Sequence, residues 1–217
     1  MNAYLHISNI TVHRSTYVSA YVDMHDFLYQ LNYLHCTLYR SDLQSPLVLE
    51  LGAGCGLVGL TVARLPGVNT LVFSDYDPGS CKLIEENIEL NKDDMSCKNC
   101  IVESLTWGDV TKAKSLVDTY GEFPLVFGSD LIYCKDVIAP LLITVSQVLY
   151  AGGLFVLASS FDIGAESKET FNKQAKQIGL SITDIKPLSD GMSLQYITKE
   201  TIFDTIYDQM VQQNPKG

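Results

Sequence analysis

Three observations predict an α/β fold built on a mostly parallel sheet. From residue 47 onward, short β-rich apolar runs alternate with segments of helical spacing, the pattern of repeated β-α-β units. The run Leu154 to Ser159 is almost wholly apolar, as expected of a strand covered on both faces. The run Val48-Leu49-Glu50-Leu51 leads straight into the glycine-rich turn Gly52-Ala53-Gly54-Cys55-Gly56 and a helix start. Such a turn brings bare backbone against a ligand, because glycine carries no Cβ and tolerates positive φ.

The elements follow in order. Pro46 to Leu51 is the first strand, and Leu57 to Leu65 a helix stopped by Pro66-Gly67. Thr70 to Ser74 is the second strand. Asp75-Tyr76-Asp77-Pro78 then opens a helix with Pro78 in its first turn, and Leu83, Ile84, Ile88 and Leu90 keep helical spacing. Ile101 to Leu105 and Pro124 to Gly128 are the third and fourth strands. Asp136 to Tyr150 reads as a long apolar helix ending at Gly152-Gly153, before the fifth strand, Leu154 to Ser159. Lys168 to Ile178 is an amphipathic helix with Gly179 as its stop. Leu180 to Ile185 is a sixth strand, and Leu194 to Thr198 pairs back on it across the turn signal Ser189-Asp190-Gly191. The tail Ile202, Phe203, Ile206, Tyr207, Met210 and Val211 has helical spacing, while Thr201 to Tyr207 also reads as a last strand.

At 217 residues, 47% hydrophobic and 18% charged, the chain is expected to form one domain with a sizeable core. Residues 1–45 break the alternation. Tyr17, Tyr21, Phe27, Leu28, Leu31, Tyr33 and Leu34 predict an amphipathic helix preceded by an extended arm. No Pro/Gly/Ser-rich linker follows, so residues 1–45 are expected to cap the site of the domain that spans 46–217.

The net charge of −10 argues against a nucleic-acid partner, since phosphate binders concentrate Lys and Arg. It suits a basic protein surface, or simply solubility. No apolar run reaches the roughly 18–20 residues of a membrane span, so no membrane association is expected. Met1-Asn2-Ala3-Tyr4-Leu5-His6 lacks the basic start of a signal peptide, which predicts a cytoplasmic protein, with the nucleus as second choice. Six scattered cysteines then read as reduced thiols. Cys97-Lys98-Asn99-Cys100 is the one close pair, but the histidines at 6, 13, 25 and 35 all lie far upstream, so no zinc site is expected.

The ends of the predicted strands hold the unusual residues, where ligands bind in such sheets. Glu50 precedes the first glycine of the turn. Its carboxylate would repel a pyrophosphate but can hold a cationic amino acid group, which favours S-adenosylmethionine over NAD; a purely structural tight turn is the alternative. Asp75, roughly 20 residues beyond the glycine turn, can take both ribose hydroxyls of a nucleoside, or cap a helix, although Asp77 before Pro78 is better placed to cap. Trp107, the only tryptophan, can lie against adenine or pack in the core. Gly108 beside it leaves space, and Asp109 can accept from an exocyclic amine. At the end of the fourth strand, Gly128-Ser129-Asp130-Leu131-Ile132-Tyr133 places Asp130 where it can hold an amine substrate or cap the next helix, with Tyr133 lining the channel or bonding Asp130.

With these positions together, the chain resembles the class I, seven-β-strand S-adenosylmethionine-dependent methyltransferases. More narrowly it resembles the protein-lysine methyltransferases that carry a D-x-x-Y motif after strand four. Matching residues are Val48 to Leu60, Ser74-Asp75 with Asn87-Ile88-Glu89-Leu90-Asn91, Leu105-Thr106-Trp107-Gly108, and Asp130-Leu131-Ile132-Tyr133, within about residues 46 to 160. The resemblance implies a Rossmann-like, seven-stranded, mostly parallel sheet with helices on both faces and an antiparallel strand near the C-terminus. It implies donor contacts at Glu50, Gly52, Gly54, Gly56, Asp75, Trp107 and Ser129, and catalytic, substrate-side roles for Asp130 and Tyr133. It also implies S-adenosyl-L-methionine as cofactor, S-adenosyl-L-homocysteine as product, a protein substrate with a target lysine, and no metal. Two departures stand out. The family's usual N-terminal tryptophan has no counterpart in Tyr21-Val22-Asp23-Met24, and Ser159-Ser160-Phe161-Asp162 lacks an arginine often found in relatives. The competing readings are a small-molecule methyltransferase and a donor-binding scaffold without activity.

Overall fold

The computed structural model describes residues 4–7, 10–13, 47–159, 162–187 and 193–199. The main unit runs β3 (Leu47–Leu51), α1 (Leu57–Val62), β4 (Thr70–Asp75), α2 (Pro78–Asn91), β5 (Asn99–Ser104), α3 (Val110–Tyr120) and β6 (Phe123–Ser129). It continues through α4 (Ile138–Val148), β7 (Leu149–Ser159), α5 (Ala165–Gln177), β8 (Leu180–Pro187) and β9 (Ser193–Lys199). Two short strands precede it, β1 (Tyr4–Ile7) and β2 (Ile10–His13), paired with each other in the stretch expected as an extended arm. β2 packs against α2 and α1. The expected helix around Tyr17 to Leu34, the turn Ser189-Asp190-Gly191 and the tail from Thr201 lie outside the described residues.

The seven main strands form one sheet in the order β5-β4-β3-β6-β7-β9-β8. β5 to β7 across the left and centre are parallel, while β9 runs antiparallel to both β7 and β8. This is the Rossmann-like sheet with an antiparallel C-terminal strand that the sequence predicts. The strands read as unbroken apolar runs because both faces are covered. On one face Val48, Leu71, Phe73, Phe127 and Val156 pack under α1 and α2. On the other, Leu49, Val72, Val126 and Leu157 pack under α3, α4 and α5. The strand order reverses between β3 and β6, and this switch opens a crevice beyond their carboxyl ends.

Three boundaries depart from expectation. α1 ends at Val62 instead of Leu65, because the following turn tightens to i→i−3 bonds from Arg64 to Thr61 and Leu65 to Val62. α3 goes unpredicted, although Ala113, Leu116, Val117 and Tyr120 keep helical spacing and pack against the core, because Lys112, Lys114, Ser115, Asp118 and Thr119 around them make the segment read as a polar loop. The α4 helix stops at Val148, and Gly152-Gly153 lie within β7, not at a helix end. There the register to β6 slips between Phe123↔Leu149 and Leu125↔Leu154, with Gly152 at positive φ.

Candidate active site

The glycine turn is held from three sides. Ala53 N–H donates to Ser74 O at 3.0 Å, Gly54 N–H to Asp75 Oδ2 at 2.9 Å, and Asn87 Nδ2 to Cys55 O at 2.8 Å. β4 and α2 therefore fix the turn that follows β3. Two of its glycines are needed for different reasons. Gly54, at φ +59, has open space where a Cβ would stand, so only its backbone conformation calls for glycine. Gly52, at φ +61, has no such space: a Cβ would meet Leu131 at 2.8 Å and Trp107 at 3.0 Å.

Beyond this turn lies a cavity of about 380 Å³, within the size range of small-molecule sites. Its walls come from the carboxyl ends of four parallel strands. Gly52 follows β3, Asp75 and Tyr76 end β4, and Leu105, Thr106 and Trp107 follow β5. Ser129, Asp130, Leu131 and Tyr133 come from the end of β6, and Asp136, Val137 and Pro140 close the wall at the start of α4. Three carboxylates, at Asp75, Asp130 and Asp136, share the lining with Tyr76, Trp107 and Tyr133. Among the described residues, no Lys, Arg or His belongs to it. Such a cavity attracts cations and repels phosphate.

Asp75 is 8% exposed. Its Oδ2 accepts from Gly54, and its Oδ1 accepts from Asp77 N–H at 3.0 Å. It is not the helix cap: Asp77 takes that role, accepting from Ser80 N–H at 2.7 Å. Each Asp75 oxygen thus keeps one lone pair for a further donor. Trp107 packs against the core under α3, α4 and α5 and also lines the cavity. Its turn is tied to α4 by Gly108 N–H donating to Thr144 Oγ1 at 2.8 Å. Asp109, aimed by sequence reasoning at a ligand amine, instead caps α3 by accepting from Lys112 N–H at 2.9 Å, and it does not line the cavity.

Asp130 sits at φ 54, the one non-glycine residue at positive φ among those described. The left-handed conformation costs an L-residue about 1–2 kcal/mol, and Asp bears it better than most. It turns the chain sharply out of β6, with Asp130 N–H still bonded to Ala158 O at 2.9 Å. Asp130 caps no helix, because α4 begins only at Ile138 and its cap is Val137. Tyr133 is 64% exposed at the mouth of the cavity. Partial burial, with Cys134, Tyr76 and Asp75 nearby, holds its hydroxyl above the ordinary tyrosine value, so it stays protonated at neutral pH.

Glu50 and Gly56 stand apart from the cavity wall. Glu50 is 2% exposed, its Oε1 accepts from Gly59 N–H at 3.2 Å, and its Oε2 has no hydrogen-bond partner among the described residues. The carboxyl fills the volume Gly59 leaves free, since a Cβ there would fall 2.2 Å from Oε2 and 2.2 Å from Phe73. Burial pushes the Glu50 carboxyl well above the usual range, the Gly59 N–H opposes that, and Asp75 adds to it. Glu50 therefore supports α1 from beneath, where sequence reasoning pointed it at the ligand. Gly56, at φ +77, is the N-cap of α1.

Sequence reasoning missed Tyr76, Thr106, Asp136 and Pro140 on the wall, and Gly59 and Thr144 behind it. Gly59 had a visible signal: with Gly54 and Gly56 it completes G-x-G-x-x-G, whose third glycine serves close helix–strand packing. Asp136 and Pro140 had none, because the loop that brings them back to the cavity has no periodicity.

A family model described as lysine methyltransferase matches residues 9–178. Protein N-lysine methyltransferase METTL21A of Danio rerio is 33% identical over 140 residues, covering 64% of this chain and 59% of that protein. A calmodulin-lysine N-methyltransferase of Arabidopsis thaliana is 29% identical over 133 residues, covering 61% of this chain and 42% of that protein. The chain thus spans about half the length of the curated relatives it matches. Among solved structures, a methyltransferase from Pyrococcus furiosus superposes with a TM-score of 0.63 at 14% identity, covering 90% of this chain and 91% of that one, a likeness of fold. No helix among the described residues is long and apolar enough to cross a membrane. By the match across most of its length, the chain belongs to the lysine methyltransferase family.

Proposed function

We propose that this chain is an S-adenosylmethionine-dependent protein-lysine N-methyltransferase. The observation that carries the reading is the cavity itself, where the described residues at the carboxyl ends of β3 to β6 include three carboxylates and three aromatic rings and no cation. Both reactants are cations there: a sulfonium donor with its ammonium group, and a lysine side chain. A pyrophosphate-bearing dinucleotide would meet only negative charge among the described residues of the wall.

The residues present fit the donor. Gly52 offers bare backbone, Asp75 has a lone pair left on each oxygen for ribose hydroxyls, and Trp107 presents a ring edge backed by the core. Ser129 ends β6 beside them. Gly54 and Gly56 would act by shaping the turn, and Glu50 by supporting it. When bound, the donor supplies a methyl group already activated on sulfur, and S-adenosylhomocysteine is the product.

The remaining work falls to orientation, proton removal and exclusion of water. Asp130 would draw the lysine ammonium to the cavity mouth and take up or relay its proton, so that a neutral amine faces the methyl group. Tyr133, still protonated, would wall the channel and donate a hydrogen bond rather than serve as base. The chain's net charge of −10 suits a basic protein substrate. A cytoplasmic setting belongs to the same proposal, supported by the five described cysteines, none in a disulfide.

The test is transfer of label from radiolabelled S-adenosylmethionine to proteins of a cell lysate, with wild type, Asp130→Ala and Asp75→Ala. Labelled bands that vanish with both variants, and that yield methyl-lysine on hydrolysis, are expected. Donor binding by wild type without any labelled protein would contradict the reading.

A further inference from the structure

Along α4 the buried residues are Ile138, Leu141, Leu142, Thr144, Val145 and Val148, and Thr144 is the one among them with a polar side chain. It is 1% exposed. A hydroxyl taken that far from water needs partners, and this one has two. It donates to Pro140 O at 3.1 Å, one turn back in the helix, and accepts from Gly108 N–H at 2.8 Å. The first bond aims the hydroxyl proton along α4, which leaves a lone pair for the turn that follows β5. That turn meets α4 closely: a Cβ on Gly108, at φ +87, would stand 3.3 Å from Pro140 Cβ. One buried oxygen therefore joins two parts of the cavity wall, the Trp107 turn and the start of α4.

We propose that Thr144 is a positioning residue whose hydroxyl holds the Trp107 ring on the cavity wall for the donor. The proposal rests on the reading of this cavity as a donor site. Trp107 is fixed through its neighbours on both sides. Before it, Leu105 N–H donates to Asp75 O at 2.9 Å; after it, Gly108 N–H donates to Thr144. Asp109 N–H closes the turn on Thr106 O at 3.1 Å. The ring itself lies over Gly52, where a Cβ would meet its Cζ2 at 3.0 Å. Trp107 is half-buried, and Thr106, Gly108 and Asp109 are exposed, so the turn has little packing of its own to hold it. Without the Thr144 acceptor, the Gly108 amide would turn to water and carry the ring away from Gly52. Asp75 and Gly52 would stay in place, so donor binding would weaken without being abolished.

The competing account is that the two bonds serve only the stability of the core around α4. Trp107 is the only tryptophan, so its emission reports this turn alone. Emission without donor, and affinity for S-adenosylmethionine by calorimetry, are read for wild type, Thr144→Val and Thr144→Ser. The first substitution keeps the shape of the side chain and loses both bonds, while the second keeps the hydroxyl. Thr144→Val is expected to shift the donor-free emission to longer wavelength and to raise the donor Kd about tenfold, the size of one lost hydrogen bond. Thr144→Ser is expected to match wild type in both. Wild-type emission or wild-type affinity in Thr144→Val overturns the proposal, whatever its melting temperature, as does a Thr144→Ser variant displaced equally far. If Thr144→Val does not fold, Thr144→Cys takes its place, because a thiol is a weak acceptor, and the same outcomes apply. A wild type that binds no donor contradicts the donor reading instead, and the donor-free emission then still decides whether Thr144 holds Trp107.

Discussion

The two sides of the cavity are built to different standards of rigidity. On the β3–β4 side, the turn from Gly52 to Gly56 is bonded to Ser74, Asp75 and Asn87, and Glu50 sits beneath it with 2% exposure. Each such bond contributes about 1 kcal/mol, more for those that reach a carboxylate. On the β6 side, Asp130 is held in a left-handed conformation, Tyr133 is 64% exposed, and Asp136 stands in the open. The difference matches the proposed division of labour. A donor that never changes can be met by a fixed, buried turn, whereas a protein substrate approaches from solvent and must meet exposed side chains. Strain kept at Asp130 also fits a residue whose placement matters more than its stability.

Breaking the rigid side has the largest expected effect. In Gly59→Ala, a helical Ala gains up to about 1 kcal/mol of propensity. Against that, the new Cβ overlaps Glu50 Oε2 and Phe73, both buried and unable to move aside. Overpacking wins, and we expect a net loss of about 2–3 kcal/mol in denaturant unfolding, with donor affinity falling as α1 shifts. Next comes Asp130→Asn on the other side. Asn tolerates the left-handed conformation, so the melting temperature is expected to hold while kcat falls by about 10²- to 10⁴-fold. A fall in stability comparable to that of Gly59→Ala would erase the contrast between the two sides.

Glu50 sharpens the comparison through pH. Its folded carboxyl holds its proton more tightly than in the unfolded chain, so its contribution is complete below the ordinary value of 4.5 and is lost as pH rises through the folded value. Stability of the wild type is therefore expected to decline upward from about that pH, and Glu50→Gln to flatten the decline in chemical denaturation series. Donor affinity at neutral pH should survive Glu50→Gln, because the side chain lies off the cavity wall. The smallest effect is expected for Tyr133→Phe. Its hydroxyl is neutral at working pH, so kcat should fall by less than about tenfold, below the range of a lost general base, with the pH profile unmoved.

Legibility in the sequence tracks the same division. The parallel strands were readable because burial on both faces leaves long apolar runs such as Leu154 to Ser159. The places of Gly52, Asp75 and Trp107 on the cavity wall were readable because backbone geometry and strand ends fix where they lie. The role of Glu50 was not, since nothing in a linear spacing says whether a carboxylate after a buried strand turns outward to a ligand or inward to a helix. Its answer depended on Gly59, nine residues on, having no side chain. α3 stayed hidden because its core-facing Ala113, Leu116, Val117 and Tyr120 are interspersed with charged and polar residues, and with it stayed hidden the capping role of Asp109. Asp136 and Pro140 reach the cavity only through the irregular loop that follows Asp130, which carries no period to read.

The most direct test of the divided cavity is calorimetric binding of S-adenosylmethionine to wild type, Asp75→Asn and Asp130→Asn, paired with methyl transfer by the same preparations. The account predicts that Asp130→Asn binds the donor as wild type does but transfers the methyl group about 10²- to 10⁴-fold more slowly, while Asp75→Asn loses donor binding itself. Donor affinity reduced as much by Asp130→Asn as by Asp75→Asn would contradict it.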